Sequence, residues 1–99
     1  MTLPSHAMAI VDAGTLGRAL RERRRQDGLT LVEAAGLTNV GIRFLSELEN
    51  GKPTVRLDKV MRVVAALGLQ LQLAPAEGRE PSWSAESHPP APVDDSSRR

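Results

Sequence analysis

The stretch LTLVEAAGLTNVGIRFLSELENGKPT, residues 29–54, constrains this chain more than any other, because two short helices fit it with punctuation at every end. Thr30 followed three residues later by Glu33 is a capping box, opening a helix over Leu31 to Leu37. Thr38-Asn39-Val40 then reads as a turn, since asparagine is among the few non-glycine residues that tolerate positive φ. Gly41 serves as a cap for the next helix, Ile42 to Glu49, which Asn50-Gly51 ends ahead of Pro53. Two short helices joined by a three- or four-residue turn form a helix-turn-helix.

The flanking sequence completes a mainly helical domain. Asp12 is placed to cap a helix running to about Asp27, with Leu16 and Leu20 one turn apart and Gly28 as its stop. After Pro53 a further helix, from about Leu57 to Leu67, is expected to bury Leu57, Val60, Val64 and Leu67. Leu69-Gln70-Leu71-Gln72-Leu73 changes the period from 3.6 to 2, which predicts a strand with Leu69, Leu71 and Leu73 on one face. A solitary strand leaves backbone groups unpaired, so it needs either Met8 to Val11 or the same strand of a second subunit. Residues 1–11 show no helical period and read as a flexible arm. Five of the seven prolines follow Leu73, so residues 75–99 are expected to form a disordered Pro/Ser/acidic tail beyond a domain of residues 12–74.

At 99 residues the chain has room for one core. Its net charge of +1 conceals an asymmetry. Between Thr15 and Arg62 ten Lys/Arg meet six Asp/Glu, whereas from Ala76 onward three arginines meet five acids. A basic domain of that kind suits a polyanion, and the acidic tail suits something else. The absence of cysteine excludes disulfides and thiolate metal sites, and His6 and His88 stand alone, so no metal or cofactor is expected. No apolar run reaches the ~20 residues of a membrane span, which leads us to expect a cytoplasmic protein without membrane contact. No nucleophile lies beside a base and no glycine-rich phosphate loop is present, so an enzyme is not expected.

These residues carry a resemblance. The stretch beginning at Leu29 resembles the Xre/Cro-type helix-turn-helix of phage repressors, and FLSELENGKPTVRLDKVMRVVAALGLQLQL is similar to the HipB-type antitoxin branch. The resemblance implies a lambda-repressor-like domain of four to five helices, with one C-terminal β-strand pairing across a dimer. It also implies where DNA would be met. Thr30 and Leu31 begin the second helix, where free backbone N–H groups can face a phosphate. Gly41, Ile42, Arg43, Ser46 and Glu47 fall on the face that would enter the major groove, while Asn50, Gly51 and Lys52 follow at phosphate level. Leu31 stands where family members often carry glutamine, Ala35 matches the small residue at the helix crossing, and Asn39 takes the place of a turn glycine. Arg24 and Glu49 match a structural ion pair, and Phe44 is expected to pack rather than to stack on a base.

A question follows from the position of Gly41 and Ile42, which offer no side-chain hydrogen bond although they open the helix that would read DNA. Bidentate reading falls to Arg43, so one subunit reads little and two copies on a palindromic operator are required. The function the resemblance implies is a dimeric repressor and antitoxin, its partner a toxin of the HipA-type kinase class. Trp83, the one tryptophan, is a candidate toxin-binding anchor in the tail. A stand-alone Xre-type regulator and a protein-binding adaptor remain the alternatives.

Overall fold

The structure, a computed structural model, describes residues 6–76 and contains four helices among them: α1 Ala13–Gln26, α2 Leu31–Thr38, α3 Ile42–Glu49 and α4 Leu57–Ala66. Their ends follow from local chemistry. Asp12 caps α1 in extended backbone, its carboxylate accepting from the Thr15 N–H at 2.8 Å while the Thr15 hydroxyl accepts from the Asp12 N–H at 3.0 Å. The Thr15 N–H first, and then the Thr15 hydroxyl donating to Asp12 Oδ1 at 2.9 Å, hold the Asp12 carboxyl below the ordinary carboxylate range. The charged cap therefore persists at neutral pH and is lost only as pH falls through that lowered value. Gly28, at φ 73°, supplies the left-handed residue that turns the chain out of α1. Thr30 and Glu33 form the expected capping box on α2, and Asn39 ends it at φ 59°.

The core draws on every helix: Leu20 from α1, Ala34 and Ala35 from α2, Leu45 and Leu48 from α3, and Val60, Val63 and Val64 from α4, with Leu67 just beyond. Leu16, Leu29, Leu31, Val40, Phe44, Val55 and Leu69 pack around its edge. One hydroxyl is buried with them, and Thr38 Oγ1 satisfies it by donating to the Ala34 carbonyl at 2.8 Å.

One expectation is corrected, and a second is not met within the single chain. Leu57 is 69% exposed, and Val63 is buried instead. Periodicity selects a face of α4 but not how far its neighbours reach along it, and the first turn, Leu57 and Asp58 together, stands in solvent. The strand of Leu69, Leu71 and Leu73 is not formed either: residues 69–76 have no regular secondary structure, and no strand occurs among the described residues. Alternation gives a segment two faces, but a strand exists through its ladder, and neither Met8 to Val11 nor any other described segment pairs with it. Residues 77–99 of the tail, with Trp83, and residues 1–5 lie outside the described residues.

One contact sets the position of α3. Gly17, in the middle of α1, is buried against the end of α3, and a Cβ built on it would lie 2.4 Å from the Leu48 carbonyl oxygen and 2.7 Å from that of Glu49. Next to it, Gly51 adopts φ 84°, and a Cβ there would lie 3.0 Å from the Gly14 Cα. Backbone meets backbone along this seam, which only glycine permits.

Candidate nucleic-acid interface

α3 divides cleanly by face. Leu45, Leu48 and Glu49 are buried, Phe44, Ser46 and Glu47 are half-buried, and Gly41, Ile42 and Arg43 are exposed. The Arg43 side chain is 91% exposed. Phe44 packs against the core with the Lys59 ammonium 5.5 Å from its ring centroid, so this ring is occupied from within the domain.

Gly41 differs from the seam glycines. Its φ is −70°, and a Cβ built on it meets no atom within 4 Å. The fold therefore does not require glycine at this position.

A single carboxylate gathers the charge at this surface. Glu47 Oε2 accepts from Arg43 Nε at 3.3 Å, and Glu47 Oε1 accepts from Lys52 Nζ at 3.2 Å. These bonds, Lys52 first and Arg43 second, hold the Glu47 carboxyl below its ordinary range. Asn50 is also engaged: its Nδ2 donates to the Ser46 carbonyl at 2.9 Å, closing the end of α3.

At the start of α2 the capping box alters which groups are available. The Thr30 N–H donates to Glu33 Oε1 at 2.8 Å, and the Thr30 hydroxyl accepts from the Glu33 N–H at 3.0 Å. The first-turn donors left without an intrahelical acceptor are the N–H groups of Leu31 and Val32. Leu31 itself is half-buried at the edge of the core, which accounts for an apolar residue there.

Two supports hold the interface from behind. Arg24, on α1, reaches the end of α3, where its Nε donates to Glu49 Oε2 at 2.6 Å and its Nη2 to Oε1 at 3.0 Å. The Arg24 Nη1 donates to the Leu29 carbonyl at 2.8 Å, fixing the loop before α2. The side chains are 13% and 6% exposed, and hydrogen bonding to Glu49 raises the Arg24 pKa further. The second support escaped the sequence reading. Arg62 of α4 donates from Nη1 to the Asn39 carbonyl at 2.9 Å, bracing the turn between α2 and α3 across 23 residues of chain. No sequence pattern marks such a contact, because an arginine on an exposed helical face usually reads as a solvated charge.

Comparison with known proteins places this geometry in a family. The family model described as a helix-turn-helix domain matches residues 15–76. An uncharacterized HTH-type transcriptional regulator, y4mF, of Sinorhizobium fredii is 39% identical over 75 residues, covering 75% of this chain and 99% of the relative. Among solved structures, a HipB-O4 20mer complex superposes with a TM-score of 0.66 at 24% identity, over 72% of this chain and 100% of the other. The clp gene regulator ClgR from C. glutamicum gives a TM-score of 0.55 at 37% identity, over 66% of this chain and 83% of that one. A structure of a HipA-HipB-O2-O3 complex also shares the fold, at 22% identity and a TM-score of 0.66 over 72% of this chain. The matched residues run from the first turn of α1 to the end of the described chain and include the whole α2–turn–α3 unit, so the chain belongs to the helix-turn-helix domain family.

Proposed function

We propose that this protein is a sequence-specific DNA-binding repressor that acts as the antitoxin of a type II toxin-antitoxin operon, with a HipA-type kinase as its toxin. The observation that carries the DNA-binding part is the exposed end of α3. Gly41 sits where the fold has no need of glycine, beside an exposed Ile42 and an exposed Arg43. A missing side chain with open space around it serves close approach by another molecule. That answers the question raised by Gly41 and Ile42: backbone comes close to the duplex, Ile42 meets a thymine methyl, and Arg43 addresses guanine O6 and N7. Ser46 lines the same face, Asn50 and Lys52 lie at phosphate level, and the N–H groups of Leu31 and Val32 face a second phosphate beside Thr30.

Arg43→Ala is expected to cost about 1–3 kcal/mol and to relax preference at one base pair per half-site. Lys52→Ala is expected to weaken binding evenly across sequences and to flatten the salt dependence. Titrations of labelled duplexes at several salt concentrations check both. Equal losses on selected and random DNA for Arg43→Ala would remove it as a base reader.

Weak reading by one subunit calls for two, and the same chain supplies a means. Residues 6–11 and 68–76 flank an open groove of about 1110 Å³ over α1, bordered by Ile10, Leu20, Leu69 and Leu71. In our reading the 68–73 segment of a second copy lies antiparallel to its counterpart, giving Leu69, Leu71 and Leu73 a shared apolar face and the backbone its missing ladder. Recognition helices then meet successive major grooves about 34 Å apart on a palindrome. Leu71, now 43% exposed, would sit in that interface, so Leu71→Lys is expected to give monomers by light scattering. A variant that remains dimeric would rule the segment out as the interface.

The antitoxin part rests on the fold shared with HipB, including HipB in its complex with HipA, and on the basic domain followed by an acidic tail. Trp83 is the proposed anchor for the kinase. The stand-alone regulator is favoured by y4mF and ClgR, both described as regulators. A kinase-like reading frame beside this gene separates the two readings.

A further inference from the structure

We propose that Glu47 is a specificity-determining residue of the DNA-binding surface, holding Arg43 and Lys52 in the free protein so that random DNA gains little from either. The inference rests on the DNA-binding reading of α3. Among the residues assigned to that surface, Arg43 and Lys52 are the cations and Glu47 is the anion, and Glu47 bonds both, one through each carboxylate oxygen. Neither pair serves the fold. Arg43 is almost wholly exposed, Lys52 and Glu47 are partly so, and exposed pairs of this kind contribute little to stability.

Their effect appears when a duplex arrives. On random sequence both cations exchange one acceptor, the carboxylate, for another, a phosphate. The exchange leaves Glu47 uncompensated against a surface of like charge, so the net gain is small. Where a guanine offers O6 and N7 together, Arg43 meets both through Nη1 and Nη2 while its Nε stays on Glu47, so that pair is not given up. Glu47 thus subtracts more from non-specific than from specific binding. A chain whose major-groove face carries one long basic reader gains discrimination this way without any further base contact.

The test compares wild type, Glu47→Gln, Lys52→Ala and the double variant on two labelled duplexes. One is a random-sequence 20-mer, and the other is a palindrome selected by the wild-type chain from a randomised pool. Glutamine keeps the length of the side chain and removes only its charge, and matching circular-dichroism melts establish that the fold is unchanged. Glu47→Gln is expected to bind the random duplex about fivefold more tightly and to steepen its log–log salt slope by about one. Affinity for the palindrome rises less, so the specificity ratio narrows. In the Lys52→Ala background the gain shrinks, because one of the two cations is no longer there to release. Unchanged affinity for the random duplex overturns the inference while leaving DNA binding intact. So does a loss on the palindrome, which would make Glu47 a reader accepting from cytosine N4. A wild-type chain that binds neither duplex overturns the DNA-binding reading and this inference with it.

Discussion

Gly17→Ala is expected to destabilise the domain by about 3 kcal/mol, although alanine is the better helix former. In an unconstrained helix interior the same change stabilises by roughly 0.5–1 kcal/mol, so the sign of the effect is itself the test. Here the added methyl would lie 2.4 Å and 2.7 Å from two carbonyl oxygens at the end of α3. Both obstacles are backbone, which cannot rotate away as a side chain would. Relief requires α1 to slide off α3, opening the packing of Leu20 and straining the Arg24–Glu49 pair that crosses the same seam. For a domain of this size the loss lowers the melting temperature by roughly 10–20 °C. Urea titration of both forms checks it, and a variant as stable as wild type would mean that the seam opens without cost.

Arg24→Ala is expected to cost about 3–5 kcal/mol, because it leaves the Glu49 carboxylate buried without its cation and the Leu29 carbonyl without its donor. Desolvation, rather than the strength of the pair, makes this large. Replacing both partners, as in Arg24→Met with Glu49→Leu, removes the stranded charge and should recover most of the loss. A double-mutant cycle measured by denaturant midpoints separates the two contributions. If Arg24→Ala melts like wild type, the pair is in effect solvated and does not hold α1 to α3.

The cap at Asp12, the capping box at Thr30 and the left-handed Asn39 were legible in the sequence because each is decided within a few residues by hydrogen bonds to the local backbone. Depth was not legible. Leu57 keeps the correct phase with Val60 and Val64 yet stands in solvent, because the reach of neighbouring helices is a tertiary fact. Gly17 carried no signal beyond low helix propensity, since a glycine is needed there by atoms some 30 residues distant. Alternation at Leu69, Leu71 and Leu73 was visible, but a ladder is a property of two segments, and one described chain provides only one. The surface charges were legible as types but not as pairings. Glu47 was placed on the groove-facing side of α3, and only the geometry shows that it holds both cations.

The split of α3 into two faces has a consequence for how such a protein can change. The residues that fix the helix, Leu45, Leu48 and Glu49 with Gly17 and Arg24 behind them, do not overlap with Gly41, Ile42 and Arg43, whose side chains or open space project from the surface. On the proposed DNA-binding reading, exchanging the second set leaves the first untouched, so target preference and foldedness can drift on separate schedules. A lineage could acquire a new operator through a few outward-facing substitutions while its thermal tolerance stayed constant. Laboratory retargeting could follow the same route, randomising positions 41, 42 and 43 in a scaffold that does not register the exchange.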